Sequence, residues 1–378
     1  MKRRVFSLIL IAATLCSCSV QKPKSNPLEN VLASQNPNIK RVMDSVSQYE
    51  VQIRYTQIDR TKDEVTFTDY DFQVDADTYF YPASSVKFPI AVLALEKLNG
   101  MDSLSKDTRF YVEGDSVETT FAEAVSEIFA VSDNDANNRL VEFLGQDAIN
   151  SGLEEKGIRP VRIAHGLGYR SEDLATKPLV VYQNDSTTTI LKGSFNTDPE
   201  PLELQGIRKG AGFYQDDSLV KEPFDFSLKN YFPIQAQHGL LKRVIFPKKF
   251  SSEKRFDLSE EQRNFLMTAM HTVPRKVGYS PEEYYDGYCK FFMFGDTKEN
   301  IPENIKIYNK VGFAYGTLTD CAYITDTQNE VEFMLTATIL VNKNGIFNDD
   351  TYEYDDIGIP FLAELGRQLY DYEMIRKK

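Results

Sequence analysis

Apolar residues follow two different periods along the chain, and their order predicts the architecture. Near the amino end, apolar residues recur at helical spacing over positions 39–46, then alternate at 51–55 and again around 65–67. This order predicts a helix followed by a β-hairpin. A dense apolar run at 85–98 predicts a buried helix.

Helix-capping signals organise the middle of the chain. Thr120 with Glu123 forms a capping box, and so does Ser259 with Gln262, which predicts a helix after each. Asp135 is predicted to cap the helix that lies between them. Residues 176–250 mix threonines, prolines and aromatic residues without a clear period, so no element is predicted there.

The carboxyl-terminal part predicts strands at 305–311, 319–325 and 331–341, then a helix over 361–372. In the third strand, alternate residues are apolar and should line one face. Strands at both chain ends around a helical middle predict an α/β (α+β) fold with two lobes. We expect an antiparallel sheet flanked by helices, with a mostly helical lobe inserted into it.

The first residues predict export. Positive residues at 2–4 precede an apolar run at 5–15, which is too short to span a bilayer comfortably and is typical of a signal peptide. The following Leu15-Cys16-Ser17-Cys18 resembles a bacterial lipobox with Cys18 as the lipidated residue; ordinary cleavage nearby is the alternative. We therefore expect a periplasmic or outer-membrane lipoprotein that contacts the membrane through its lipid anchor.

The predicted organisation is a signal peptide, a tether and one catalytic domain with two lobes. The tether carries prolines and small polar residues, as flexible linkers do. The boundaries are 1–17 for the signal peptide, 18–35 for the tether and 36–378 for the domain, with the α/β lobe at about 36–83 and 301–378 and the helical lobe at about 84–300.

The net charge limits the classes of binding partner, and the cysteine and histidine positions limit the possible disulfides and metal sites. The net charge is −13, which argues against nucleic acid and anionic membrane surfaces. Cys289 and Cys321 could form a disulfide in an oxidising compartment or remain buried thiols. Neither they nor the three scattered histidines have the spacing of a metal site, so we expect no metal and no cofactor. The oligomeric state stays open.

Three short motifs carry candidate chemistry. Ser84-Ser85-Val86-Lys87 is an S-x-x-K, Ser132-Asp133-Asn134 is an S-D-N, and Lys310-Val311-Gly312 is a K-x-G. Two of the patterns also occur elsewhere, and only their context selects among them. The other matches are Lys276-Val277-Gly278 and the S-x-x-K segments that begin at Ser19, Ser103, Ser218 and Ser251.

Local context favours the motifs at 84, 132 and 310. Ser84 opens an apolar helix, where its Oγ lies near exposed backbone N–H groups, and Lys87 lies one turn further on the same face. Pro89 predicts a local kink in that helix. The S-D-N lies in a tight loop between two helices. Lys310 begins a strand, whereas Lys276 precedes a polar loop and is rejected.

With these motifs the chain resembles the class A β-lactamase-like serine hydrolases, within the penicillin-recognising superfamily. The resemblance spans roughly residues 36–370 and is clearest at 79–90, 132–144 and 309–325. It implies that Ser84 is acylated and that Lys87 is the base.

The resemblance also implies the supporting roles. Ser132 would pass the proton to the leaving nitrogen with help from Lys310, and Asn134 would hold the substrate's side-chain amide. Gly312 would let the substrate backbone lie close to the strand. The backbone N–H groups of Ser84 and Phe313 would form the oxyanion hole.

Two departures from the family pattern affect the substrate and its release. Class A enzymes have Thr or Ser where this chain has Val311, and that hydroxyl helps to bind the β-lactam carboxylate. Their deacylating glutamate lies in an E-x-x-L-N segment, which is absent here. Glu172 and Asp173 are candidates for its role, and a surface acidic pair beside Arg170 is the alternative.

Three functions are compatible with these residues. The first is a serine hydrolase that forms an acyl-enzyme on Ser84 and hydrolyses a β-lactam or a related amide or ester. The second is a cell-wall D,D-peptidase or penicillin-binding-type enzyme that deacylates slowly. The third is a non-catalytic binding protein on the same fold, which the intact set of Ser84, Lys87, Ser132 and Lys310 disfavours.

Overall fold

The structure is a computed structural model and describes residues 26–62, 64–168 and 173–377. The predicted signal peptide, the lipidation residue Cys18 and the candidate carboxylate Glu172 lie outside these ranges. Within the described ranges, no helix is both long enough and apolar enough to cross a membrane.

Helices and strands alternate in the order that the periodicity predicted at both chain ends. The helices are α1 (Pro27–Leu32), α2 (Pro37–Met43), α3 (Val46–Tyr49), α4 (Lys87–Asn99), α5 (Phe121–Ala130), α6 (Asn134–Leu144), α7 (Gln146–Glu155), α8 (Ile234–Ile245), α9 (Glu260–His271), α10 (Phe291–Phe294) and α11 (Ile359–Arg376). The strands are β1 (Gln52–Arg60), β2 (Val65–Phe72), β3 (Arg109–Val112), β4 (Thr119–Thr120), β5 (Leu179–Asn184), β6 (Thr187–Leu191), β7 (Arg208–Lys209), β8 (Gly212–Gln215), β9 (Ser218–Val220), β10 (Phe224–Asp225), β11 (Ile305–Ala314), β12 (Thr317–Asp326), β13 (Val331–Leu340) and β14 (Ile346–Phe347).

Both chain ends build the main sheet. Its five strands lie in the order β11-β12-β13-β1-β2, and all neighbours are antiparallel. The amino-terminal hairpin therefore joins the carboxyl-terminal strands through β1 and β13, where Ile53 lies opposite Ala337. The predicted α/β class, with an antiparallel sheet flanked by helices, is confirmed.

Helices cover the main sheet on both faces. One face packs against α1, α2 and α11, and the apolar side chains that were predicted to line one face of β13 all lie in that core. Because α1 (Pro27–Leu32) is part of that core, the prediction that the tether runs to residue 35 was wrong. The other face packs against a larger core that contains residues of α4, α5, α6, α8 and α9. The edge strand β11, with Lys310, thus lies next to the helices that carry the other two motifs.

Capping explains where the helices near the motifs begin. Both predicted capping boxes are present, at the starts of α5 and α9. The prediction of Asp135 as the next cap was wrong, because the carboxylate of Asp133 accepts from the N–H of Ala136 at 2.7 Å. Asp133 has extended backbone angles, which aim its carboxylate at the N–H three residues later.

The stretch without a clear period forms small sheets and then the helix α8 (Ile234–Ile245), which the sequence analysis did not predict. Strands β5 and β6 extend a sheet with β3 and β4, while β8 and β9 pair with β14. Such short strands leave too few residues for an alternation to be visible in the sequence. Cys289 and Cys321 are buried free thiols, which excludes the disulfide alternative.

Candidate active site

The turn that carries Ser84 is tighter than an α-helix. Ala83–Val86 form a 3₁₀ turn, and α4 follows directly at Lys87. Ala83 has a φ of +48°, in the left-handed region that non-glycine residues rarely adopt. Pro89 is then the third residue of α4, where no intrahelical bond to its nitrogen exists, so the predicted kink is not needed.

Ser84 and its neighbour Ser85 have different surroundings. Ser84 is partly exposed on the turn. Ser85 is buried, and its hydroxyl donates to the carbonyl of Pro82 at 2.8 Å. Ser85 therefore stabilises the turn, whereas Ser84 remains accessible.

Strand β11 passes so close to this turn that it needs a glycine. A Cβ on Gly312 would lie 2.6 Å from the carbonyl oxygen of Pro82, 2.8 Å from the nitrogen of Ser85 and 2.9 Å from the nitrogen of Ser84. These contacts are with backbone atoms, so no side-chain rotation could relieve them. The glycine brings the backbone N–H groups of the turn and of β11 together.

The S-D-N loop points back towards α4. Ser132 has a φ of +60°, a conformation that costs about 1–2 kcal/mol outside glycine. Lys87 Nζ donates to the carbonyl of Ser132. It also donates to Asn134 Oδ1, at 2.7 Å, and lies 3.3 Å from Ser132 Oγ. The strained loop thus surrounds the lysine amine with three oxygen atoms.

Lys310 reaches the same hydroxyl from the middle of β11 (Ile305–Ala314); the prediction that it begins a strand was wrong. Its Nζ donates to Ser132 Oγ at 2.8 Å and to the carbonyl of Val311 at 2.9 Å. Ser132 Oγ therefore lies between the amines of Lys87 and Lys310, which the sequence separates by more than two hundred positions. Gly312 and Phe313 follow on the same strand.

Burial governs the charge of both lysines. Burial lowers the pKa of Lys87 well below its usual value, and the charge of Lys310 lowers it further. Burial also lowers the pKa of Lys310 to about 8. Both effects favour the neutral form of Lys87, while a pKa of about 8 leaves Lys310 mainly protonated near neutral pH.

The remaining predicted residues lie around this cluster. Phe313 is 45% exposed and packs edge-to-face on Tyr354. Val311 is buried in the core that contains α11. As a valine it also has no hydroxyl to offer a ligand.

Two asparagines that the sequence analysis did not select hold the segment before residue 169. Asn138 makes two bonds to the backbone of Leu167, accepting from its nitrogen at 2.8 Å and donating to its oxygen at 2.7 Å. Asn230 accepts from the backbone nitrogens of Ala164 and His165. Asn138 belongs to the extended S-D-N segment, but its partner lies 29 positions away and leaves no local signal.

A second unpredicted group is buried behind Lys310. Lys290 Nζ donates to Asn309 Oδ1 at 2.6 Å, and Asn309 Nδ2 donates to Asp320 Oδ1 at 2.8 Å. All three side chains are almost fully buried. A lysine and an aspartate at these positions match no catalytic pattern, so no local signal could have selected them.

An open cleft of about 960 Å³ lies beside the cluster, and none of Ser84, Lys87, Ser132 and Lys310 lines it. Gly168 lies on one wall, and a Cβ there would be 3.5 Å from Asn134 Nδ2. Tyr81 and Tyr315 lie in the cleft with their ring centroids 4.9 Å apart. The turn between β8 and β9 forms the opposite side.

Comparison with known proteins gives one family match and several similar folds. The model of the Beta-lactamase enzyme family matches residues 36–192, a range that contains Ser84, Lys87 and Ser132. No curated protein matches the chain.

Several solved structures have a similar fold. A β-lactamase from Desulfarculus baarsii DSM 2075 has a TM-score of 0.52 at 13% identity, covering 90% of this chain and 97% of its own. One from Burkholderia ambifaria has a TM-score of 0.51 at 15% identity, covering 86% and 95%. One from Xanthomonas campestris pv. campestris has a TM-score of 0.51 at 14% identity, covering 91% and 96%.

The chain therefore has a β-lactamase-like serine hydrolase fold, and the resemblance that the three motifs indicated is confirmed.

Proposed function

We propose that the protein is a serine hydrolase that forms an acyl-enzyme on Ser84 and cleaves a β-lactam or a related amide or ester. The observation that carries the proposal is the position of Ser132 Oγ between the buried amines of Lys87 and Lys310. Burying two lysine amines next to one hydroxyl costs free energy of folding. Such an arrangement is typical of sites that transfer protons.

The first step is activation of Ser84. A neutral Lys87 amine has two N–H bonds, which match the carbonyl of Ser132 and Asn134 Oδ1. Its lone pair then remains to take the proton of Ser84 as the serine oxygen attacks the substrate carbonyl carbon. The backbone N–H groups of Ser84 and Phe313 stabilise the resulting oxyanion, each by about 3–4 kcal/mol.

The second step is expulsion of the leaving group. The proton taken by Lys87 passes through Ser132 Oγ to the leaving nitrogen or oxygen, and the carbonyl reforms as the acyl-enzyme. Lys310, as an ammonium, holds Ser132 in place through its hydrogen bond to Oγ. Its positive charge lowers the pKa of Lys87 and so favours release of the proton from Lys87. Water then hydrolyses the ester, with Glu172 as the proposed carboxylate.

The cleft supports a second candidate, a cell-wall D,D-peptidase or penicillin-binding-type enzyme that deacylates slowly. The cleft lies next to Asn134 through Gly168, which suits a substrate that extends beyond its reacting group, as a peptide does. The buried Val311 favours the same candidate, since it offers no hydroxyl to a penicillin carboxylate. Non-catalytic binding on this fold is the remaining alternative.

The rate of Ser84 acylation in single turnover tests the base assignment. Lys87→Ala should abolish adduct formation with a chromogenic cephalosporin or an activated ester, whereas Glu172→Gln should slow only release of the acyl group. Lys97→Ala is the matched control, since Lys97 lies on the same helix and also donates to a backbone carbonyl. Equal slowing by Glu172→Gln and Lys87→Ala would overturn the lysine-base assignment.

We also propose that the protein is an exported lipoprotein anchored through Cys18. The support is the charged amino end, the short apolar run and the lipobox-like segment. In a bacterial host, the protein should incorporate labelled palmitate, and Cys18→Ala should abolish the label. A label that survives this substitution would exclude Cys18 as the anchor.

A further inference from the structure

A buried hydrogen-bond network connects the strand of Lys310 to the segment that precedes it. Lys290 Nζ donates to the carbonyl of Met270, at the end of α9, at 2.9 Å, as well as to Asn309. Asn309 also donates to the carbonyl of Cys289 at 2.9 Å. Asp320, on the neighbouring strand β12, is the third member of the network.

The carboxylate of Asp320 is fully satisfied. Besides Asn309, it accepts from the backbone nitrogens of Phe291 and Phe292 at 3.1 and 3.3 Å. Asn309 therefore links a buried cation to a buried anion, each with further backbone partners. An uncompensated buried ion would cost several kcal/mol, so the three side chains depend on one another.

The position of this network connects it to the catalytic cluster. Asn309 immediately precedes Lys310, and β11 is an edge strand with a neighbour on one side only. The bonds that Asn309 makes to Lys290 and to the carbonyl of Cys289 therefore add to the single ladder with β12 in holding this part of the strand.

We propose that Lys290 is a positioning residue of the acyl-transfer site: through Asn309 it fixes the strand of Lys310, and its buried positive charge sets the charge state of the Lys310–Ser132 relay. The inference rests on the proposed function of that relay. The charged and titratable groups around Lys310 are Lys87 on α4, Cys289 and Lys290 before β11, and Asp320 on β12.

The direction of the electrostatic effect follows from the signs. Burial lowers the pKa of Lys310 most and Cys289 raises it; of the two smaller effects, the charge of Lys290 lowers it and the charge of Asp320 raises it. Lys290→Gln keeps a donor for Asn309 but removes the charge, so the pKa of Lys310 should rise. Asp320→Asn should lower it. For one buried charge, a shift of about half a unit to one and a half units is expected.

Two measurements separate this inference from the proposed function. The first is a pH titration of the ¹³Cε signal of Lys310 in the resting protein, assigned by its loss in Lys310→Arg. The second is the pH profile of Ser84 acylation by an activated ester, whose alkaline limb reports loss of the Lys310 proton. Lys290→Gln should shift both to higher pH and Asp320→Asn to lower pH, while Lys290→Arg should restore the wild-type values.

Each outcome decides one of the two claims. A lower rate with no shift of either titration in Lys290→Gln would overturn the inference, because a purely structural residue would behave in that way. Shifts of the same sign in Lys290→Gln and Asp320→Asn would also overturn it. If no donor acylates Ser84 but the ¹³Cε titration shifts as expected, the proposed function fails and the effect of Lys290 on Lys310 stands.

Discussion

The close approach of β11 to the serine turn gives a sharp prediction at Gly312. In Gly312→Ala the new Cβ would meet three backbone atoms at 2.6–2.9 Å. Real Cβ atoms do not approach other atoms so closely, so the strand and the turn would have to separate by several tenths of an ångström. The backbone at Gly312 lies outside the left-handed region, so the effect would be steric alone.

The magnitude follows from overpacking and from loss of geometry. Forcing one methyl group into a packed site costs about 1–3 kcal/mol of unfolding free energy. Displacing an oxyanion donor costs more in rate than in stability, since misplacement by about 1 Å can reduce a rate about 100-fold. We therefore expect acylation of Ser84 to fall about 100-fold in Gly312→Ala, with modest destabilisation.

The assay combines single-turnover acylation with denaturant unfolding. Gly100→Ala is the matched control, because a Cβ there would meet its nearest atom, the carbonyl oxygen of Lys97, at an ordinary 3.5 Å. If Gly312→Ala acylates at the rate of Gly100→Ala and unfolds at the same denaturant concentration, the contact between strand and turn would be refuted.

Two further predictions concern stability. Asn138→Ala should lower the unfolding free energy by about 1–3 kcal/mol in a denaturant titration, because it removes both bonds to Leu167; an unchanged midpoint would contradict that role. His238 is buried between Thr56 and Thr336, and burial lowers its pKa from 6.5 to about 3. Because the unfolded chain binds a proton there and the folded protein does not, stability should fall as pH falls from 6.5 towards 3, by up to about 1.4 kcal/mol per pH unit. The slope should be shallower in His238→Gln, and an equal slope would contradict the assignment.

The sequence predicted those features that depend on local spacing. The long strands at residues 305–341 and the capping boxes were correct because alternation and capping are local patterns. The three motifs were located because each lies at a helix start, in a tight loop or on a strand, where its context differs from that of the duplicates.

Features that depend on contacts between distant segments were not predictable in the same way. The bonds of Lys290 and Asp320 to Asn309 become visible only when β11, β12 and the preceding segment are adjacent. The cap of α6 was misassigned between two nearby aspartates, since the choice depends on the unusual backbone at Ser132. The small sheets of residues 176–250 are too short to show a period.

Intact-protein mass spectrometry tests the central claim most directly. The full chain would be incubated with a chromogenic cephalosporin, a penicillin or an activated ester and sampled over time, beside Ser84→Ala. The account predicts a covalent adduct that maps to Ser84 and is absent in the variant, and whose decay or persistence separates hydrolase from slow peptidase. An adduct that persists in Ser84→Ala, or neither an adduct nor a hydrolysed product from any of the three donors, would contradict the assignment of Ser84 as the nucleophile.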